Sequence, residues 1–278
     1  MERLYRLVQA DGFCFDVFGS RIGVRVSASR LLGRIQTHLP PGWHPYQSPL
    51  VERLYSFVVS DRERRLGVRR FHCLFGNAQI LARTLNEEEL LDAFESDLNT
   101  YVAQTTRRRF FAHAGVVGWK GRAIVIPGRS YCGKSMLVKE FLKQGATYYS
   151  DEFAVFDGRG HVYPFARPLA IREETTQRQT RVSAEELGGS TGVKPLPVGF
   201  LLFTQYRDST RWHPRAMSPG RAALKLLANA LSARNQPEQA LAFLEKAVRG
   251  AQILNGVRGE AKDVVRTILT DYCSAAFE

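Results

Sequence analysis

The clearest candidate for chemistry in this sequence is the stretch Gly128-Arg129-Ser130-Tyr131-Cys132-Gly133-Lys134-Ser135. It fits the pattern G-x-x-x-x-G-K-[ST] at every defining position. In this pattern, backbone N–H groups surround phosphate oxygens, and the N-terminus of the following helix adds a partial positive charge. Lys134 would reach the β- and γ-phosphates, and the Ser135 hydroxyl would ligate Mg²⁺. The spacing therefore predicts a nucleotide-binding loop.

The residues on both sides of this loop have the periodicity that the motif requires. Before it, Ala123–Ile126 is a short apolar run with β-branched residues, which predicts a buried strand. After it, apolar residues at 137, 138, 141 and 142 share one helical face, while residues 139, 140 and 143 are charged. A chance match is the alternative, and the order strand, glycine loop, helix argues against it.

A second candidate feature is the acidic pair Asp151 and Glu152, which follows the predicted strand Ala146–Ser150. Two adjacent carboxylates beside a phosphate loop suit phosphoryl transfer, because one can hold Mg²⁺ while the other accepts the proton of an attacking hydroxyl. The alternative is that the pair only begins a turn. The chain has no N-K-x-D sequence and no L-S-G-G-Q sequence, which argues against a GTPase and a transporter ATPase.

Taken together, the residues from His113-Ala114 through the loop to Gly145–Glu152 resemble the catalytic domain of HPr kinase/phosphorylase. That family shares a fold core with phosphoenolpyruvate carboxykinases and transfers phosphate to a protein serine. The resemblance implies an α/β fold, namely a P-loop kinase domain of HPr kinase type with a mixed sheet and flanking helices. It also implies an ATP-dependent, Mg²⁺-requiring kinase whose acceptor is a hydroxyl group, most simply the serine of a protein or peptide.

The resemblance assigns roles to individual residues. Lys134 and Ser135 match the residues that bind phosphates and Mg²⁺, while Asp151 and Glu152 match the acidic pair that shares the base and metal roles. His113 matches the active-site histidine, although without the resemblance it is a strand histidine with a structural partner.

The run Arg167-Pro168-Leu169-Ala170-Ile171-Arg172 contributes one further candidate and one departure. Arg172 is a candidate clamp on the transferring phosphate, with a solvent-exposed arginine as the alternative. Ala170 stands where the family has a metal-binding glutamate, and Glu152 replaces the second aspartate of the family's pair.

The sequence predicts two domains, an N-terminal α+β domain over residues 1–86 and the kinase-like domain over residues 87–278. Two strand-like runs on either side of Gly19-Ser20 predict a hairpin in the first domain. Asn86, followed by three glutamates, predicts the start of a helix that joins the two parts and runs to about residue 106. From about residue 223 onward, the periodicity predicts a helical C-terminal part. The first domain is a candidate for substrate or partner binding.

The composition is typical of a globular protein with a basic excess. The 278 residues are 44 % hydrophobic and carry a net charge of +12, which favours acidic partners such as nucleotides or an acidic protein or peptide. No nucleic-acid-binding motif accompanies the charge, so nucleic acid is not an expected partner. No apolar run approaches the roughly 20 residues of a membrane span, and the N-terminus lacks a secretory signal. With four scattered cysteines, we expect a cytoplasmic protein without a zinc site or disulfides.

Two alternatives to a protein or peptide kinase remain open at this point. One is a kinase of small-molecule hydroxyl groups. The other is a non-catalytic ATP-binding sensor, motivated by Ala170 and the altered acidic pair. A nucleic-acid-linked ATPase rests on net charge alone. The sequence also leaves open whether the chain forms a homo-oligomer.

Overall fold

The structure, a computed structural model, describes residues 2–3, 11–60, 71–106, 108–128, 132–172, 179–231 and 237–273. The chain divides into two compact units, Met1–Arg107 and Arg108–Glu278. This division lies later in the chain than the boundary expected near residue 86. The reason is that the helix beginning at Glu87 packs on the N-terminal sheet and so belongs to the first unit.

Within its described residues, the first unit contains a six-stranded sheet, a two-stranded pair and two helices. Its elements are β1 (Glu2–Arg3), β2 (Asp11–Val17), β3 (Ser20–Val26), α1 (Leu31–Gln36), β4 (His44–Pro45), β5 (Leu50–Val51), β6 (Arg53–Val58), β7 (His72–Gly76), β8 (Gln79–Thr84) and α2 (Glu87–Thr105). The sheet order is β4-β2-β3-β6-β7-β8, in which only β3 and β6 are parallel. Strands β2 and β3 form the predicted hairpin.

Helix α2 begins and ends close to the predicted positions. The side-chain oxygen of Asn86 accepts a hydrogen bond from the Glu88 N–H at 2.9 Å, which is the expected cap. The apolar face of α2 packs on the sheet, where the Phe94 ring lies 4.9 Å from the Tyr55 ring and 5.2 Å from the Phe57 ring, both edge-on. The N-terminal unit therefore has an aromatic core of its own.

The second unit is built around a nine-stranded mixed sheet. Its elements are β9 (Phe110–Trp119), β10 (Arg122–Pro127), α3 (Lys134–Lys143), β11 (Thr147–Ser150), β12 (Phe153–Phe156), β13 (His161–Tyr163), β14 (Leu169–Arg172), β15 (Gln179–Val182), β16 (Ser190–Thr191), β17 (Leu196–Tyr206), β18 (Arg215–Ala216), α4 (Pro219–Leu227), α5 (Pro237–Val248), β19 (Gln252–Arg258) and α6 (Ala261–Thr267). Strands β10, β17 and β19 run parallel, and β9 pairs antiparallel with β10, β11 and β12. A separate antiparallel pair consists of β14 and β15.

Helices cover both faces of this sheet. Because alternate residues of a strand point to opposite faces, Ala123 and Val125 pack with α4 and α5, while Ile124 and Ile126 pack with α3 and α6. A strand buried on both faces has a continuous apolar run, which is why β10 is recognisable in the sequence. Over the described ranges, the chain is a mixed α/β protein with two mixed sheets and six α-helices. None of those helices has both the length and the apolarity needed to cross a bilayer.

The C-terminal part differs from the sequence expectation at one element. Where only helices are predicted, the residues between α5 and α6 form β19, which pairs with β17 over seven residue pairs. Ile253 and Leu254 are buried in this strand, but Asn255-Gly256 interrupts its apolar run, so periodicity does not reveal it. The strand adds a third parallel strand to the sheet, and its last residue is Arg258.

Candidate active site

The predicted phosphate loop connects the carboxyl end of β10 to the N-terminus of α3. Gly128 and residues 132–135 are described, whereas three loop residues lie outside the described residues: Arg129, Ser130 and Tyr131. The Gly128 N–H donates to the His113 carbonyl oxygen at 3.1 Å, which attaches the start of the loop to β9. A Cβ at Gly128 would collide with the Sγ of Cys132, so the two ends of the loop approach closely.

Gly133 and Lys134 form the junction between the loop and α3. Gly133 has a φ of 80°, in the left-handed region that glycine adopts without strain, and α3 begins at Lys134. The Lys134 side chain is only 8 % exposed. Its burial lowers the pKa of the ammonium group, while the nearby Cys132, Asp151 and Glu152 act in the opposite direction. The lysine therefore lies inside the protein, within electrostatic reach of the acidic pair.

Asp151 contacts the residue predicted to ligate Mg²⁺. The Ser135 Oγ donates to Asp151 Oδ2 at 3.2 Å, although the two residues are 16 positions apart in the sequence. The Tyr148 hydroxyl lies 3.1 Å from Asp151 Oδ1 and 2.7 Å from the Arg167 carbonyl oxygen, so its single hydrogen is shared between two acceptors. Burial and then the charge of Asp151 raise the pKa of the Tyr148 phenol far above its usual range, which keeps it a hydrogen-bond donor.

Ser150 shapes the turn that separates the two carboxylates. Its Oγ accepts hydrogen bonds from the N–H groups of Glu152 and Phe153, at 3.1 and 3.0 Å. A serine hydroxyl that satisfies the next backbone N–H groups favours a turn over continued strand. Strand β11 ends at this residue, and its pairing with β9 shifts register just before it. The turn gives Asp151 and Glu152 different surroundings.

Glu152 pairs with an arginine that sequence reasoning did not select. Its Oε2 lies 3.1 Å from Nη1 of Arg167, and its side chain is 46 % exposed. The predicted clamp Arg172 lies in the same basic run; its backbone belongs to β14, and its side chain is outside the described residues. The signal for Arg167 was present in the sequence, since it begins the run that contains Arg172.

His113 lies on β9 between the loop and the acidic pair. It pairs with Phe153 of β12, and the two rings are 5.1 Å apart. Burial lowers the pKa of the His113 imidazole and the charge of Lys134 lowers it further, while a hydrogen bond with the Glu152 backbone opposes both. Burial and the charge of Lys134 thus favour the neutral imidazole over its charged form. The neutral form can donate or accept a hydrogen bond, but it does not add positive charge.

A residue that the sequence did not reveal as part of this site is Arg258. Its Nη2 donates to the Gly133 carbonyl at 3.0 Å, its Nη1 donates to the Gly259 carbonyl at 2.9 Å, and the residue is only 2 % exposed. A Cβ at Gly133 would collide with the guanidinium group. Burial lowers the pKa of Arg258, against the opposing effect of Cys132, but a guanidinium stays charged in proteins. A buried guanidinium group therefore holds the end of the loop through the backbone carbonyl of Gly133.

The residues present fit a magnesium ion that is shared with a nucleotide. Over the described residues, no three His, Cys, Asp or Glu side chains come close enough to hold a metal by themselves. Mg²⁺ at nucleotide sites uses one or two protein oxygens and completes its shell with phosphates and water. The Ser135 hydroxyl and the Asp151 carboxylate, 3.2 Å apart, supply such a pair of oxygens.

Four predicted residues thus meet around the start of α3. Asp151 bonds to Ser135, and Lys134 interacts electrostatically with both Asp151 and His113. No protein-family model matches this chain, and no curated protein sequence matches it at a significant level. Any functional conclusion therefore depends on the geometry of this site and on the sequence motifs.

Proposed function

We propose that the chain is an ATP-dependent, Mg²⁺-requiring kinase that transfers the γ-phosphoryl group to a hydroxyl group, most simply a serine of a protein or peptide. The second unit would then be a P-loop kinase domain of the HPr kinase type that the sequence resembles, acting in the cytoplasm. The observation that carries the proposal is the hydrogen bond between Ser135 and Asp151. It joins the last residue of the predicted phosphate loop to the first residue of the acidic pair, and these are the two oxygens that would hold Mg²⁺ in phosphoryl transfer.

The binding of ATP rests on the loop and its support. Backbone N–H groups at the N-terminus of α3 face the phosphates, and Lys134 neutralises the oxygens of the β- and γ-phosphates. Arg258 holds the Gly133 carbonyl and so keeps the loop in a conformation that is ready to bind. Ser135 and Asp151 would hold Mg²⁺, which when bound neutralises charge on the phosphates.

The carboxylates of Asp151 and Glu152 have different roles in the proposed reaction. Asp151 faces Ser135 and Tyr148, so it belongs to the metal side of the site. Glu152 is more exposed and is held by Arg167, so it is the group that accepts the proton of the acceptor hydroxyl. In that step the hydroxyl oxygen bonds to the γ-phosphorus, the bond from this phosphorus to the bridging oxygen breaks, and ADP leaves with the electron pair.

The decisive experiment compares Lys134→Ala with Lys143→Ala. Lys143 lies at the other end of α3, is exposed and pairs with Glu140, so its removal is a matched control. We expect the first variant to lose Mg-ATP binding in calorimetry and the second to bind like the wild type. Unchanged ATP affinity in Lys134→Ala would refute the loop assignment.

The transfer step is tested with labelled Mg-ATP and an extract of the source cells, followed by mass spectrometry of labelled products. We expect a phosphorylated acceptor with the wild type and none with Lys134→Ala. Tight ATP binding without any labelled acceptor would instead support a non-catalytic nucleotide sensor.

A further inference from the structure

A pocket of about 640 Å³ lies beside the phosphate loop, at the carboxyl ends of β17 and β19. Pro127, which directly precedes Gly128, lines one side of it. Val257 lines another side and directly precedes Arg258, which donates to the carbonyl of Gly133. Ligands of sheets with parallel strands bind outside the carboxyl ends of those strands. The pocket therefore adjoins the proposed nucleotide site.

The side chains around this pocket are basic. Arg211, Arg215 and Lys225 line it and are exposed, and His213 is a fourth basic group. The Nζ of Lys225 is held in position by donating to Asn255 Oδ1 at 2.8 Å. The described lining contains no aspartate or glutamate, and within the described part of the chain none of the three cations has a carboxylate partner. Cations gathered in a cleft without counter-charge attract anionic ligands.

The lining does not suit a nucleobase. Among the described lining residues, Phe203 is the only phenylalanine, tyrosine or tryptophan; it is 6 % exposed, and the Lys225 Nζ lies 5.4 Å from its ring centroid. Base pockets are lined by apolar and aromatic side chains, whereas arginines bind carboxylates and phosphates through paired hydrogen bonds. In the proposed site, the phosphates of ATP bind to the loop and not to this pocket. The remaining candidate for this pocket is the acceptor.

Strand pairing gives an approximate backbone span between one side of the pocket and the residue that follows the acidic pair. Asn229 lines the pocket, and its backbone carbonyl accepts a hydrogen bond from the His113 N–H at 2.8 Å. His113 pairs on its other side with Phe153, the residue after Glu152. Because neighbouring strands lie about 4.8 Å apart, two spacings place the backbone of Asn229 about 10 Å from the backbone of Phe153, which directly follows Glu152. This is the length of about three residues of extended chain.

On the basis of the kinase activity proposed above, we infer that this pocket binds an anionic group of the phosphoacceptor. The group is a carboxylate or phosphate that lies about 10 Å from the reacting hydroxyl. A peptide with an aspartate or glutamate about three residues from the serine meets both conditions. A small molecule that carries a hydroxyl at one end and a carboxylate or phosphate at the other has the same chemistry.

The two sources are distinguished with purified full-length chain, labelled Mg-ATP and two sets of acceptors. One set is degenerate serine peptides with glutamate, alanine or lysine fixed three residues before or after the serine. The other is a protein-free extract of small metabolites. We expect labelling of the glutamate peptides at least tenfold faster than the alanine peptides, or labelling of anionic metabolites. Equal labelling of the three peptide libraries, a preference for lysine, or labelling of uncharged metabolites alone would overturn the inference.

The pocket itself is tested with the double variant Arg211→Gln/Arg215→Gln. Its control is Arg249→Gln/Arg266→Gln, which removes two exposed arginines of the same unit that pair with Glu245 and Asp263. We expect the pocket variant to raise the KM for the acceptor at least tenfold with an unchanged Kd for Mg-ATP, and the control to change neither.

Three results would contradict this. A raised Kd for Mg-ATP in the pocket variant would assign the pocket to the nucleotide. Equal use of the acceptor by wild type and pocket variant would refute the pocket while the kinase activity stands. A wild type that binds Mg-ATP but labels no acceptor would refute both.

Discussion

The hydroxyl of Tyr148 is the most informative single group to remove, because it links stability to the candidate chemistry. The residue is 2 % exposed, and its hydroxyl is shared between the Arg167 carbonyl and Asp151. Tyr148→Phe removes the donor and leaves both part-buried acceptors without it. A lost hydrogen bond to a neutral group costs about 1 kcal/mol and one to a charged group more, so we expect a loss of about 2 kcal/mol in the free energy of unfolding. For a unit of this size, this corresponds to a Tm lower by about 4–8 °C.

The neighbouring Tyr149 provides a matched control. It is 3 % exposed, its hydroxyl donates to the Lys194 carbonyl at 2.6 Å, and it packs on the opposite face of the sheet. Tyr149→Phe should therefore lose about 1 kcal/mol, because one neutral hydrogen bond is removed. Only Tyr148→Phe frees one oxygen of Asp151, so only this variant should lower kcat, by about tenfold if the misplaced carboxylate raises the barrier by about 1.4 kcal/mol.

The pH dependence gives an independent check. The pKa of Tyr148 is raised in the folded state, whereas an unfolded tyrosine loses its proton near pH 10. The unfolded state therefore releases a proton above about pH 10 that the folded state keeps, so the free energy of unfolding falls there by up to about 1.4 kcal/mol per pH unit. The stability advantage of the wild type over Tyr148→Phe is complete below pH 10 and should shrink above it.

These quantities are measured by urea unfolding between pH 7 and 11 and by steady-state kinetics at pH 7.5. Full kcat in Tyr148→Phe, or equal losses of kcat in the two variants, would refute the link between Tyr148 and Asp151. A stability difference that does not change above pH 10 would refute the assignment of the raised pKa.

Two further predictions concern the acidic pair and the support of the loop. Asp151→Asn should raise the Mg²⁺ concentration needed for half-maximal activity at least tenfold. Glu152→Gln should lower kcat with an unchanged Mg²⁺ requirement. If a Mg²⁺ titration of both variants gave the reverse pattern, the roles assigned to Asp151 and Glu152 would have to be exchanged. Arg258→Met should weaken Mg-ATP binding about tenfold or more, because the Gly133 carbonyl loses its side-chain donor, while stability changes little since the cost of burying a cation is also removed. Calorimetry and thermal unfolding check this, and unchanged ATP affinity would contradict it.

Local sequence was sufficient to predict the elements around the loop. Strand β10 has an apolar run because both of its faces are covered, and α3 has one apolar face because it packs on that strand. Asn86 and the acidic residues after it predict α2, because a cap and first-turn acids act within one helical turn. The helix pattern did not tell which sheet α2 packs on, so its place in the first unit came from the tertiary structure.

The contacts of the candidate site depend on residues that are distant in the sequence, and local sequence patterns do not reveal such contacts. The sequence suggests that Asp151 and Glu152 act together, but the hydrogen bonds of Ser150 turn the chain there, so that Asp151 faces Ser135 and Glu152 pairs with Arg167. Arg258 meets Gly133 across 125 residues only because β19 joins the sheet beside β17. The basic pocket gathers residues from β10, β17, β19 and α4 for the same reason.

The candidate phosphate loop is thus a prediction from residue types and spacing, because glycine conformation, a helix N-terminus and one lysine act over a few neighbouring residues. The partners of the loop were decided by the order in which distant strands pair, since hydrogen bonding between strands brings together residues that are far apart in the chain.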